Sequence, residues 1–168
     1  MKLTFSQIKD VTLGACSVTS EQDGIYFNRF TDEQTELYKT RGGHVGMGSK
    51  SSAGIALSFK TDSKKMKLSL SALIRSGASD FFVFDVFVNG NKIGDVTGFI
   101  DLEAEAKTSE DVATGDVEKE FSLGDGEKHV KIYMPWRRKG IIRSIELDDG
   151  SFVEAVKPKK GFCALAIP

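Results

Sequence analysis

The chain has 168 residues, the length of one ordinary domain and enough to bury a sizeable core. Its 23 basic and 24 acidic residues leave a net charge of −1, which excludes the strong basic excess of a general nucleic-acid binder. Met1 to Gln7 lack the apolar run of a signal peptide and no stretch is long enough to span a membrane, so a soluble, cytoplasmic protein with Cys16 and Cys163 as reduced thiols is expected.

The first predicted element is a helix. In "RFTDEQTELYKT", Thr31 can cap and Gln34 can close a capping box, with Leu37 and Tyr38 as a small apolar face. The glycine-rich "RGGHVGMGS" that follows lacks the Gly-x-x-x-x-Gly-Lys-Ser/Thr spacing that cradles phosphate, and it reads as a mobile loop. Strands come next. Ile55, Leu57 and Phe59 alternate with smaller or polar residues, and so do Met66, Leu68, Leu70, Ala72 and Ile74. Period two places each set on one face of a strand. "FFVFDVFVNGNKIGDV" is a hairpin turning at Asn89-Gly90. The acidic "EAEAKTSEDVATGDVEKE" reads as a surface excursion, and "GDGEKH" as a turn into a strand with Val130, Ile132 and Met134 on one face. "LDDGSF" is a further turn. Twelve phenylalanines with seventeen glycines suit pleated, half-buried surfaces joined by turns. The expected fold is an all-β, jelly-roll-like β-sandwich with one short helix, over residues 1–156.

Candidate chemistry is sparse. His129 shares a strand face with Lys131 and is expected on the surface; His44 lies in the glycine-rich stretch. Two histidines and two distant cysteines offer no converging ligand set, so neither metal nor cofactor is expected. No Gly-x-Ser-x-Gly element is present. The richest stretch is "YMPWRRKGIIRSIELDDG", where Pro135 ends a strand and Trp136, the single tryptophan, precedes Arg137 and Arg138. An aromatic plate beside guanidinium groups can form a sugar- or carboxylate-binding surface, or a face that meets another domain. The alternative is a tryptophan packed on the sandwich rim beside solvated arginines.

The segments "FNRFTDEQTELY", "SAGIALSFKTDS", "FDVFVNG", "KHVKIYMPW" and "RSIELDDGSFVEAVKPKK", in this order, resemble the N-terminal β-sandwich domain of two-domain SGNH (GDSL-type) esterases. The resemblance covers nearly the whole chain up to Lys160. In that family the basic linker leads into a catalytic domain whose first strand ends in Gly-Asp-Ser, and a late Asp-x-x-His completes the catalytic set. Neither motif is present, so no catalytic residue carries over and no hydrolase activity is expected of this chain. The resemblance implies a non-catalytic accessory domain of an ester hydrolase, whose substrate would be an ester such as an acetyl group on carbohydrate. The rivals are a stand-alone carbohydrate-binding module using Trp136, and a purely structural domain. The expected partners are a carbohydrate ligand and the missing C-terminal hydrolase domain, with no nucleic acid or membrane.

Residues 157–168 read as a linker and an apolar tail, "KPKKGFCALAIP". Back-translated with degenerate codons and read one base earlier, the tail permits Arg-Leu-Leu-Cys-Phe-Gly-Asp-Ser. That is an apolar strand ending in the nucleophile motif, where the family places it. The tail is therefore read as the frameshifted start of a missing SGNH hydrolase domain, the alternative being an apolar strand that pairs with the sandwich.

Overall fold

The computed structural model of the protein describes residues 1–74, 79–101, 103 and 113–157, apart from the side chains of His44 and Met47. The apolar tail and most of the acidic excursion lie outside these residues. The fold is an all-β, jelly-roll-like sandwich of two antiparallel sheets. One sheet runs β1 (Thr12–Leu13), β4 (Ala56–Thr61), β9 (Lys128–Tyr133), β6 (Phe81–Val88), β7 (Asn91–Phe99), with β11 (Glu154–Ala155) also paired to β4. The other runs β2 (Ser17–Glu21), β3 (Gly24–Asn28), β10 (Gly140–Leu147), β5 (Lys65–Ala72), β8 (Val117–Ser122).

The period-two sets meet between the sheets. Leu57 and Phe59 of β4, Met66, Leu68 and Leu70 of β5, Phe84 and Val86 of β6 and Val130 of β9 are fully buried in one core. Burying each such side chain contributes roughly 1.5–3 kcal/mol, which is why alternation dictates the pairing faces. The β6–β7 hairpin turns at Asn89 and Gly90, both at positive φ, as a tight two-residue turn of this kind requires. Gly98 of β7 pairs with Phe82, whose ring lies over it: a Cβ there would meet Phe82 Cζ at 2.2 Å. Alternation fails in β10, where Ile142 and Ile145 both face the core although three residues apart. A bulge between Ile142 and Ser144 takes up the extra residue.

Among the described residues, three helical segments decorate the sandwich, where one was expected. The expected helix is α2 (Asp32–Arg41), closed by the Thr31/Gln34 capping box. Its apolar face is not buried: Leu37 is exposed, and Tyr38 instead packs on Phe30 with ring centroids 4.9 Å apart. The second is α1 (Phe5–Val11), carrying the same kind of box in Thr4 and Gln7 and burying Ile8 and Val11. The third corrects the reading of residues 43–49 as a loop: Gly43–Ser49 form α3, packed against α2. Tertiary contact overrides the poor helix propensity of glycine there. Strand β8 likewise claims the end of the acidic segment, with Phe121 buried and Lys65 and Lys67 of β5 paired to Glu120 and Glu118. Among the described residues no helix is long and apolar enough to cross a membrane.

Candidate functional site

The loop from Met134 to Lys139 leaves β9 and enters β10, and its side chains go to three different places. Trp136 is 63% exposed, and the Arg137 guanidinium stacks on its ring at 4.3 Å. A cation over an indole face fixes the plate and adds donors at its edge. Arg138 does not join them. It is 1% exposed and donates from Nε to the Ser79 carbonyl at 2.7 Å, and from its terminal nitrogens to the Ile74 and Ser79 carbonyls. This corrects its placement on the same surface as Trp136. A planar fork of donors suits adjacent carbonyls, and here it fastens the connection between β5 and β6.

Lys139, the third cation of the run, turns to a cavity of about 150 Å³. The lining comes from Asn28, Arg29 and Phe30 at and after the end of β3, from Thr35 and Lys39 of α2, from Ser49 and Lys50, from Leu73 and from Lys139. Four of these nine residues are cations, and among the described residues the lining holds no carboxylate. Lys139 Nζ donates to Asn28 Oδ1 at 2.7 Å, and Lys39 pairs with Glu36 on its own helix. The Arg29 guanidinium lies 4.4 Å over the Phe30 ring and donates to the Gly48 carbonyl at 3.2 Å. Its Nε is buried without a hydrogen-bond partner. Burial lowers the Arg29 pKa from its ordinary value, as expected of a cation withdrawn from water. Sequence reading missed this cavity, whose residues are scattered from Asn28 to Lys139 and are gathered only by the strand order.

A third arrangement was also unforeseen. Ser58 Oγ lies 2.8 Å from His129 Nε2 on the outer face of the first sheet. His129 is therefore half-buried, not a free surface residue, and burial lowers its pKa below the ordinary histidine value, helped by Lys131 and Lys60. A hydroxyl touching an imidazole is the minimum of a nucleophile–base pair. This one is poorly placed for acyl transfer. Ser58 is 2% exposed in mid-strand, its carbonyl accepts from the Val156 amide, and β9 and β11 flank it on both sides. Backbone amides committed to ladders are not available as an oxyanion hole.

No protein-family model matches the sequence, and comparison with curated proteins gives no match. Among solved structures, the salicylyl-acyltransferase SsfX3 from a tetracycline biosynthetic pathway aligns with a TM-score of 0.64 and 21% identity, over 89% of this chain and 40% of its own. A protein described as a GDSL-like lipase from Bacteroides ovatus aligns with a TM-score of 0.55 and 17% identity, over 94% of this chain and 43% of its own. A family 35 carbohydrate-binding module from Clostridium thermocellum reaches a TM-score of 0.46 at 10% identity, too low to carry an argument. The first two likenesses establish a shared sandwich fold. The chain spans less than half the length of the first two proteins.

Proposed function

We propose that this chain is the non-catalytic accessory β-sandwich of an SGNH/GDSL-type ester hydrolase. One observation carries the reading. The chain aligns almost end to end with about two-fifths of an acyltransferase and of a GDSL-like lipase, at TM-scores of 0.64 and 0.55. The ordered segments that resemble the N-terminal domain of such esterases point the same way. In this role the sandwich packs on the hydrolase domain or helps to hold its substrate, and supplies no nucleophile.

Turnover of short acyl esters by the purified chain tests this. The expected result is no hydrolysis above that of the Ser58→Ala variant. Turnover that disappears in Ser58→Ala would make the Ser58–His129 pair catalytic and overturn the reading. The DNA beyond the Lys160 codon tests the partner: in the shifted frame, it should stay open for a domain and encode an Asp-x-x-His near its end. An early stop codon in that frame removes the hydrolase domain.

The second reading is a carbohydrate-binding module, favoured by the exposed Trp136 with Arg137 stacked on it. A sugar would stack on the open ring face and accept hydrogen bonds from Arg137. A glycan array separates the two readings: selective binding lost in Trp136→Ala supports the module, and no binding at all supports the accessory role.

A further inference from the structure

The outer face of the first sheet carries exposed rings and charges side by side. Phe82, Phe84 and Val86 of β6 are buried in the core, so Phe81 and Asp85 point outward. Register sets Phe99 of β7 opposite Phe81, and Asp95 opposite Asp85. Tyr133 of β9 lies opposite Asp85 on its other side. Phe81 and Tyr133 are exposed, and Phe99 is 77% exposed, more than the tryptophan. Phe87, edge-on at 5.4 Å, and Lys131, 4.5 Å over the ring, brace Tyr133. The Lys92 ammonium bridges the two carboxylates, at 2.6 Å to Asp85 and 3.3 Å to Asp95. Apolar side chains exposed singly are ordinary, whereas several gathered on one face mark a place where something binds.

The charges decide what binds. A dry protein contact over this face would strip water from both carboxylates and their ammonium, and interface cores are depleted of such groups. A saccharide differs in kind. Its ring lays an apolar face on an aromatic plate, while the hydroxyls at its edge donate to carboxylates. Lys92 and Lys131 balance Asp85 and Asp95, so these four groups create no net field to draw in an acidic or basic ligand. Phe81 and Asp85 lie four residues apart on one strand, about 13 Å, which is longer than a single sugar ring.

We propose that this face, from the Phe81–Phe99 pair to Asp85, Asp95 and Tyr133, binds a neutral oligosaccharide. The site is distinct from the Trp136–Arg137 stack, and neither reading above assigns it. It serves a free-standing module and an accessory sandwich that holds substrate alike.

Titration of the intact chain with cellohexaose, xylohexaose, mannohexaose and glucose, followed by amide NMR shifts, tests this. At least one hexasaccharide should cause saturable shifts at residues 81, 85, 95, 99 and 133, and glucose should bind more weakly by about tenfold or more. Phe99→Ala, which removes a stacking ring, and Asp85→Asn, which removes a charged acceptor, should each weaken binding about tenfold. Phe99 lies at the surface, so Phe99→Ala should keep the parent Tm and its loss of binding is separable from unfolding. Trp136→Ala should leave binding unchanged. Binding lost in Trp136→Ala and kept in Phe99→Ala would put the sugar on the loop, overturning this inference and leaving the module reading in place. No saturable response to any hexasaccharide overturns it as well. So does a concentration-dependent dimer that Phe99→Ala dissociates, which would make the face a contact between copies.

Discussion

Two kinds of buried cation occupy this sandwich, and they differ in where their donors go. Arg138 and Lys128 are 1% and 3% exposed, and among the described residues both donate to backbone carbonyls. Lys128 Nζ reaches Ser63 O at 2.7 Å and Gly124 O at 2.6 Å, with Asp62 O at 3.3 Å, so one ammonium joins the β4–β5 and β8–β9 turns. The cavity cations are less buried than these two, and Arg29 retains a buried Nε with no partner. Charge and burial alone therefore do not mark a binding residue. Arg138 and Lys128 act as fasteners through donations to loop carbonyls, whereas Arg29 keeps a buried Nε with no hydrogen-bond partner.

The largest effect that would sharpen this contrast is Arg138→Met. The apolar stem is kept, the fork is lost, and the Ile74 and Ser79 carbonyls remain buried without charged donors. A loss of about 3 kcal/mol, or a fall in Tm of about 10 °C, is expected. Lys128→Met should cost less, about 2 kcal/mol, because two of its three acceptors, the Asp62 and Gly124 carbonyls, belong to exposed residues. Denaturant melts of both variants, beside the cavity variant Lys50→Gln, check the division. If Lys50→Gln destabilises as much as Arg138→Met, the cavity cations are fasteners too.

A smaller, pH-dependent effect acts on the loop that Lys128 holds. Asp148 Oδ2 accepts from the Lys64 amide at 2.7 Å, from the Lys65 amide at 3.1 Å and from Ser63 Oγ. The Lys64 amide is the main cause of a pKa held below the usual 3.8, with the Lys65 amide and the Ser63 hydroxyl adding to it against desolvation. The fold thus favours the carboxylate. Its contribution is fully present above the unfolded value of 3.8 and is lost as pH falls through the lower folded value. Asp148→Asn should flatten the acid limb of a stability–pH profile and leave the neutral-to-alkaline limb parallel to that of the parent. An unchanged acid limb would mean that other carboxylates govern acid unfolding.

How much of this was readable in the sequence follows from the period of each element. Strands with clean alternation, β4, β5 and β9, announced their buried faces, β6 and β7 announced their turn at Asn89-Gly90, and α2 announced its capping box. The box at Thr4 and Gln7 is equally legible in "TFSQ", which has the same Thr-x-x-Gln spacing as Thr31 and Gln34. Strand β10 was hidden by its bulge at Arg143, which shifts the apolar register by one residue. The run Arg137–Arg138–Lys139 was visible as charge, but a loop has no fixed period, so the sequence held no sign that the three side chains diverge to a ring, a core and a cavity. The Ser58–His129 pair and the cavity both depend on which strands become neighbours, and hydrophobic pattern alone does not carry that.

The smallest expected effect falls on the surface where the contrast began. Trp136 is the single tryptophan, so the protein's indole fluorescence reports this residue alone. Pro135 cannot donate to a ladder, and β9 ends at Tyr133, which sets the indole on the rim beyond the sheet. One ring face is covered by Arg137, and the residue as a whole remains 63% exposed. Emission should therefore be red-shifted and quenched by acrylamide. Trp136→Ala and Arg137→Ala should each change stability by less than about 0.5 kcal/mol, since neither side chain fills the core. Arg138→Met, one position further on, should cost several times more. That step between adjacent arginines is the sharpest form of the comparison, because composition, charge and position in the chain are nearly the same and only the acceptors differ. A blue-shifted, unquenchable emission would place Trp136 in the core, remove the step, and with it any ligand or docking surface on this loop.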